Sequence, residues 1–149
     1  MALVAVGLFC LADSAGSQRS SPPRLETVKS LKCVFPLVAN GTWNNGRPRA
    51  ELKAAKLTLQ FDSINREEGT ARVYDGFGHF DITARLSADT LHFVQSFREG
   101  PLYITTVFNQ ESRSGKLKAV HTRHELTEVV LPGFTSSPEQ YYGECEAEP

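Results

Sequence analysis

Between residues 31 and 126 apolar side chains recur at every second position in short runs, and each run breaks at Gly, Pro, Asn, Asp or Ser. Leu57, Leu59 and Phe61 share one face of an extended segment, as do Phe80, Ile82, Ala84 and Leu86. A period of two is that of a β-strand with one face buried. Residues 32–38, 57–62, 70–74, 80–86, 91–97, 102–108 and 116–126 therefore read as strands. Residues 129–131 extend the last one after a bend. Pro36 suggests an edge or a strand end, since proline has no N–H for a ladder. The stretch AELKAAK at residues 50–56 is compatible with a short helix ahead of the strand at 57–62. Compact turns between successive strands favour an antiparallel meander over βαβ units. The expected fold is all-β, a small up-and-down β-barrel, with a β-sandwich as the alternative.

At 149 residues the chain has room for one domain. Its formal charge of -1, from 16 basic and 17 acidic residues, lacks the basic bias of a general nucleic-acid binder. Residues 1–12, MALVAVGLFCLA, form an apolar run that gives way to DSAGSQRSSPP. That pattern reads as a signal peptide over 1–16, and the run is too short for a bilayer crossing of about 20 residues. Residues 17–30 then read as a flexible approach, 31–135 as the single β domain and 136–149 as an acidic tail. The expected protein is secreted, to the extracellular space or the secretory-pathway lumen, without stable membrane insertion.

Removal of the leader takes Cys10 with it and leaves Cys33 and Cys145 as an even pair in an oxidising compartment. Their bonding to each other would tie the two ends of the domain, while two buried thiols or pairing between molecules are the competing arrangements. Asn40-Gly41-Thr42 is a glycosylation sequon, with Gly41 suited to a turn that exposes Asn40.

Gly41-Thr42-Trp43, followed by the succession of β segments, resembles the start of a lipocalin or of the wider calycin group, which includes avidin-like barrels. The resemblance covers residues 31–131 and rests on the Gly and Trp pair. It implies that Trp43 closes the base of a barrel, with Arg123 as the basic residue covering it. The central lipocalin turn motif and a C-terminal helix are absent, which suits an avidin-like or divergent barrel better. The resemblance also implies a small hydrophobic ligand inside. Trp43, Phe61, Phe80, Phe93 and Phe108 are the candidate ligand-binding residues, although the same aromatic side chains suit a filled core equally.

No nucleophile elbow, phosphate-cradling loop or zincin histidine pattern is present. His121 and His124 would point to opposite faces of a strand and form no metal pair. His79, Asp81 and His92 show no catalytic order. The expectation is a non-enzymatic binding protein with no cofactor and no metal. Its ligand is a small hydrophobic molecule carried inside; the alternative is an extracellular or secretory-pathway protein met through exposed sheet residues, Gly133-Phe134-Thr135 and Tyr141-Tyr142, or a structural role.

Overall fold

A computed structural model of the chain describes residues 25–76, 78–127 and 136–148. Its described strands are β1 (Leu31–Asn44), β2 (Arg47–Asn65), β3 (Thr70–Tyr74), β4 (His79–Ser87), β5 (Thr90–Ser96), β6 (Leu102–Glu111), β7 (Leu117–His124) and β8 (Glu139–Ala147). Each pairs antiparallel with the next, and β8 returns to β1, so the pairings run in a closed ring. The all-β antiparallel meander read from the alternation is the observed chain order.

The ring is closed, but it departs from the small calycin-like barrel expected from the sequence in its seam, its interior and its base. Residues 31–135 supply seven described strands, and the seam is made by β8, from the stretch read as an acidic tail. Tyr141, Gly143 and Cys145 alternate inward along β8 while Gln140, Tyr142, Glu144 and Glu146 face outward, so an acid-rich stretch conceals a half-buried strand. The interior is packed rather than hollow: Phe35, Phe61 and Phe93 are fully buried, and the rings of Phe61 and Phe93 stack 4.0 Å apart. Trp43 closes no base, because it is exposed on a hairpin. A two-sheet sandwich is equally excluded by the ring of pairings.

Local chemistry explains several departures. Asn45 (φ 51°) and Gly46 (φ 75°) form a two-residue turn, and Asn44 pairs with Arg47 across it. Positive φ at both central positions is the geometry that suits a two-residue hairpin turn, and Asn-Gly meets it at little cost. β2 therefore begins at Arg47, and residues 50–56 are strand rather than helix. Pro36 lies in the middle of β1, where the register with both neighbours shifts between Val34 and Leu37. A bulge takes the position that would otherwise owe the ladder an N–H.

Residues 25–30 are packed, not a flexible approach; residues 17–24, and residues 1–16, read from the sequence as a leader, lie outside the described residues. Leu25 and Val28 are buried against one end of the ring, with Leu31 and Ile64 beside them in the same core. Arg66 Nη1 donates to the carbonyl oxygens of Leu25 (3.1 Å) and Val28 (2.7 Å), and Ile64 N–H donates to Lys29 O at 3.2 Å. One cationic side chain thus holds two backbone carbonyls of this segment over the apolar floor.

Cys33 and Cys145 form a disulfide between directly opposed residues of β1 and β8. It clasps the seam of the ring and closes a loop spanning 112 residues.

Candidate functional site

The inward face of the ring changes character along its length. From the floor upward β7 presents Leu117, Ala119, His121 and then Arg123, while β6 presents Val107, Thr105 and Tyr103. The Arg123 guanidinium carbon sits 5.1 Å from the ring centre of Tyr103 and 5.3 Å from that of Tyr141. A guanidinium over aromatic faces is attracted by the ring quadrupoles. The tyrosine hydroxyls donate outward, Tyr103 to Glu125 (3.0 Å) and Tyr141 to Glu139 (2.6 Å). Burial first, and then the adjacent carboxylate, pushes both phenols up to about 12.

Beneath this layer His121 is buried. Arg123 Nε donates to His121 Nε2 at 3.3 Å, which leaves Nδ1 to carry the ring proton toward Thr105 Oγ1, 2.8 Å away. Burial, reinforced by the Arg123 charge, lowers the imidazole pKa to about 3. His121 is therefore neutral at ordinary pH and acts as a bridge in a hydrogen-bonded lid.

Between this lid and the Phe61–Phe93 stack lies a cleft of about 20 Å³, lined also by Asp75, Gln95 and Val73. One water needs roughly 10–15 Å³ on that measure. The space suits a water and falls far short of the several hundred Å³ of a typical ligand pocket. Both ends of the interior are thus stoppered, one by residues 25–30 and one by the Arg123 layer.

The outside differs. The β1–β2 hairpin continues beyond β8, whose pairing with β1 ends at Asn40, and beyond β3, whose pairing with β2 begins at Gln60. The projecting ribbon has two chemically opposite faces. Leu37, Ala39, Gly41 and Trp43 of β1 lie opposite Ala54, Leu52, Ala50 and Pro48 of β2. Because directly opposed residues share a face, these eight form one apolar surface. The other face carries Asn40, Thr42 and Asn44 opposite Glu51, Arg49 and Arg47, with Lys53 beside them. Trp43 is 54% exposed and Leu52 70% exposed, and Tyr142, which pairs with Leu37, continues the outward apolar surface onto β8.

The five candidate ligand residues do not converge. Phe61 and Phe93 fill the core against each other. Phe80 is exposed, Phe108 follows the inward Val107 and so faces outward, and Trp43 is on the ribbon. Arg123 covers Tyr103 and Tyr141 instead of Trp43. Asn40 lies on the polar ribbon face, its Oδ1 accepting from Ser137 Oγ at 2.7 Å. His124 is exposed and opposite in facing to His121, His92 bonds Thr106 at 3.1 Å, and His79 stands beside Tyr74. Among the described residues no group of three or more His, Cys, Asp or Glu is placed to hold a metal, and no helix is long and apolar enough to cross a membrane. Gly133-Phe134-Thr135 and residues 129–131 lie outside the described residues.

The apolar ribbon face is a feature that reading each run by itself did not reveal. Its signal was Asn45-Gly46, which sets a two-residue hairpin and pairs 43 with 48, 41 with 50 and 39 with 52.

No family model matches the chain, and neither a curated protein nor a solved structure matches it. The calycin resemblance therefore gains nothing from these comparisons, and Gly41, Thr42 and Trp43 occupy the ribbon, away from the interior.

Proposed function

We propose that this chain is an exported recognition domain that meets another secreted protein through the outer face of its β1–β2 ribbon. The observation that carries this reading is the apolar face itself, on which Leu52 and Trp43 are held in solvent by a projecting two-stranded ribbon. Contiguous exposed apolar surface rimmed by polar residues marks interaction sites, and an aromatic anchor such as Trp43 is the kind of side chain that dominates binding energy. The stoppered interior favours this reading over carriage of a hydrophobic molecule.

The apolar leader and the Cys33–Cys145 disulfide support export. Asn40 and Thr42 occupy the polar ribbon face, so a glycan on Asn40 would leave the apolar face uncovered.

The test replaces Trp43 with a photoreactive benzoylphenylalanine in protein secreted by its native host. A discrete adduct with one other secreted protein is expected, weakened by Leu52→Ser and absent when the probe replaces Lys118 on the outer face of β7. Absence of any adduct, together with a hydrophobic molecule co-purifying in stoichiometric amount, would overturn the reading in favour of a carrier.

A further inference from the structure

The edge of β2, as distinct from its face, carries a second message. β2 is hydrogen-bonded to β1 on one side, but its other side is unpaired by any described strand until Gln60. In a two-residue hairpin the pair flanking the turn, here Asn44 and Arg47, is hydrogen-bonded, and bonded pairs then alternate with unbonded ones. Positions 48, 50, 52 and 54 therefore turn their backbone groups toward the free edge. Pro48 fits this parity, since its missing N–H falls on the open side. An unpaired edge of this length is a template for another strand.

We infer that two copies of this chain associate by antiparallel pairing of their β2 edges about a two-fold axis at Leu52. Charge selects both the partner and the register. Glu51 and Lys53 flank Leu52, and antiparallel pairing of Leu52 with its counterpart sets each Glu51 opposite the other copy's Lys53. Within one chain these two already attract, with Lys53 Nζ 2.9 Å from Glu51 Oε2. The same register places Ala50 opposite Ala54, Arg49 opposite Ala55 and Arg47 opposite Leu57, so no like charges oppose. A shift of two residues one way sets Lys53 against Lys53; the other way it sets Glu51 against Glu51. Directly opposed side chains share a face, so the two apolar surfaces join on one side of a four-stranded ribbon. A dimer with its binding face doubled follows, and it depends on the edge whether or not that face meets another protein.

Sedimentation equilibrium of the purified mature protein decides the matter. The wild type is expected to dimerise reversibly. Glu51→Lys and Lys53→Glu each turn two symmetry-related attractions into repulsions, and each should weaken the dimer by about tenfold or more. The double variant Glu51→Lys/Lys53→Glu restores opposite charges across the axis and should return the dissociation constant to within about threefold of wild type. Both positions are exposed, and circular dichroism checks that each variant is folded. A wild type that stays monomeric at its highest soluble concentration, single variants that dimerise normally, or a double variant that fails to recover would each overturn the inference. The photoadduct at position 43, on β1 rather than on this edge, reports on the recognition reading separately, because an adduct with a different protein requires no pairing of β2 edges.

Discussion

Gly143 of β8 lies directly beneath the β1 bulge, so close that a methyl group on its Cα would run into the carbonyl oxygen of Val34 and stand 2.8 Å from Phe35 Cα. The obstacle is backbone, which cannot swing aside as a side chain can. Gly143→Ala should therefore destabilise the protein by about 3 kcal/mol, at the upper end of overpacking costs. Denaturant unfolding would show it, and a loss under 1 kcal/mol, about what a tolerated insertion costs, would mean the seam is looser than described.

The Cys33–Cys145 bond clasps the same seam. Chain-entropy reasoning gives about 4–5 kcal/mol for closing a loop of this size, and removal of native disulfides typically costs about 2–5 kcal/mol. The Cys33→Ala/Cys145→Ala protein should lose that much in equilibrium unfolding. Non-reducing peptide mapping of the wild type should recover both cysteine peptides as one species, and two free thiols would contradict the structure.

His121 predicts an acid-sensitive arm in the stability profile. Its pKa is lowered in the fold to about 3 from an ordinary 6.5, so between those values the unfolded chain binds more protons than the native one. Stability is full above pH 6.5 and falls as the pH drops toward 3, by several kcal/mol, on the order of 4. Asp62, held below its usual value despite its partial burial by hydrogen bonds from Ser63 and Arg72, adds its loss at lower pH. In His121→Gln, which keeps an acceptor for Arg123 but does not titrate, the decline between pH 6.5 and 4.5 should flatten. An unchanged slope would show that another group carries it.

Arg66 should decide whether residues 25–30 stay on the floor. Arg66→Ala removes donors to two backbone carbonyls, each hydrogen bond to a charged group contributing about 1.5–3 kcal/mol. Hydrogen exchange at residues 25–30 should accelerate strongly while β5 and β6 remain protected. Uniform protection in the variant would assign the anchoring to Leu25 and Val28 alone.

Trp43 and Phe93 should separate surface from core. Phe93→Ala empties part of the stacked pair and should cost about 3–5 kcal/mol. Trp43→Ala on the exposed ribbon should stay within about 0.5 kcal/mol of wild type. Comparable losses for the two would place Trp43 in a packed environment.

The sequence by itself determined strand identity where the alternation runs unbroken, in the second half of β2 and from β3 to β7. Alternation at Leu57, Leu59 and Phe61, or at Ile82 and Ala84, is local, because a strand with one buried face must place its apolar side chains two apart. The cysteine pair was legible from the sequence too: with Cys10 inside the apolar run read as a leader, Cys33 and Cys145 are the two that remain to pair. Tertiary structure decided the rest. Tyr141 and Cys145 are set among glutamates, and only contact with β1 and β7 shows which of their faces is inside. Period two marks which aromatic side chains share a face but says nothing of the distance to the opposing face; Phe61 and Phe93 meet across the interior and fill it. Trp43 reads as a base-closing residue while its neighbours are unknown, and becomes a surface anchor once Asn45-Gly46 turns the chain and β8 stops pairing at Asn40. Burial is a property of what lies across a face, and that partner comes from a part of the chain far away in sequence.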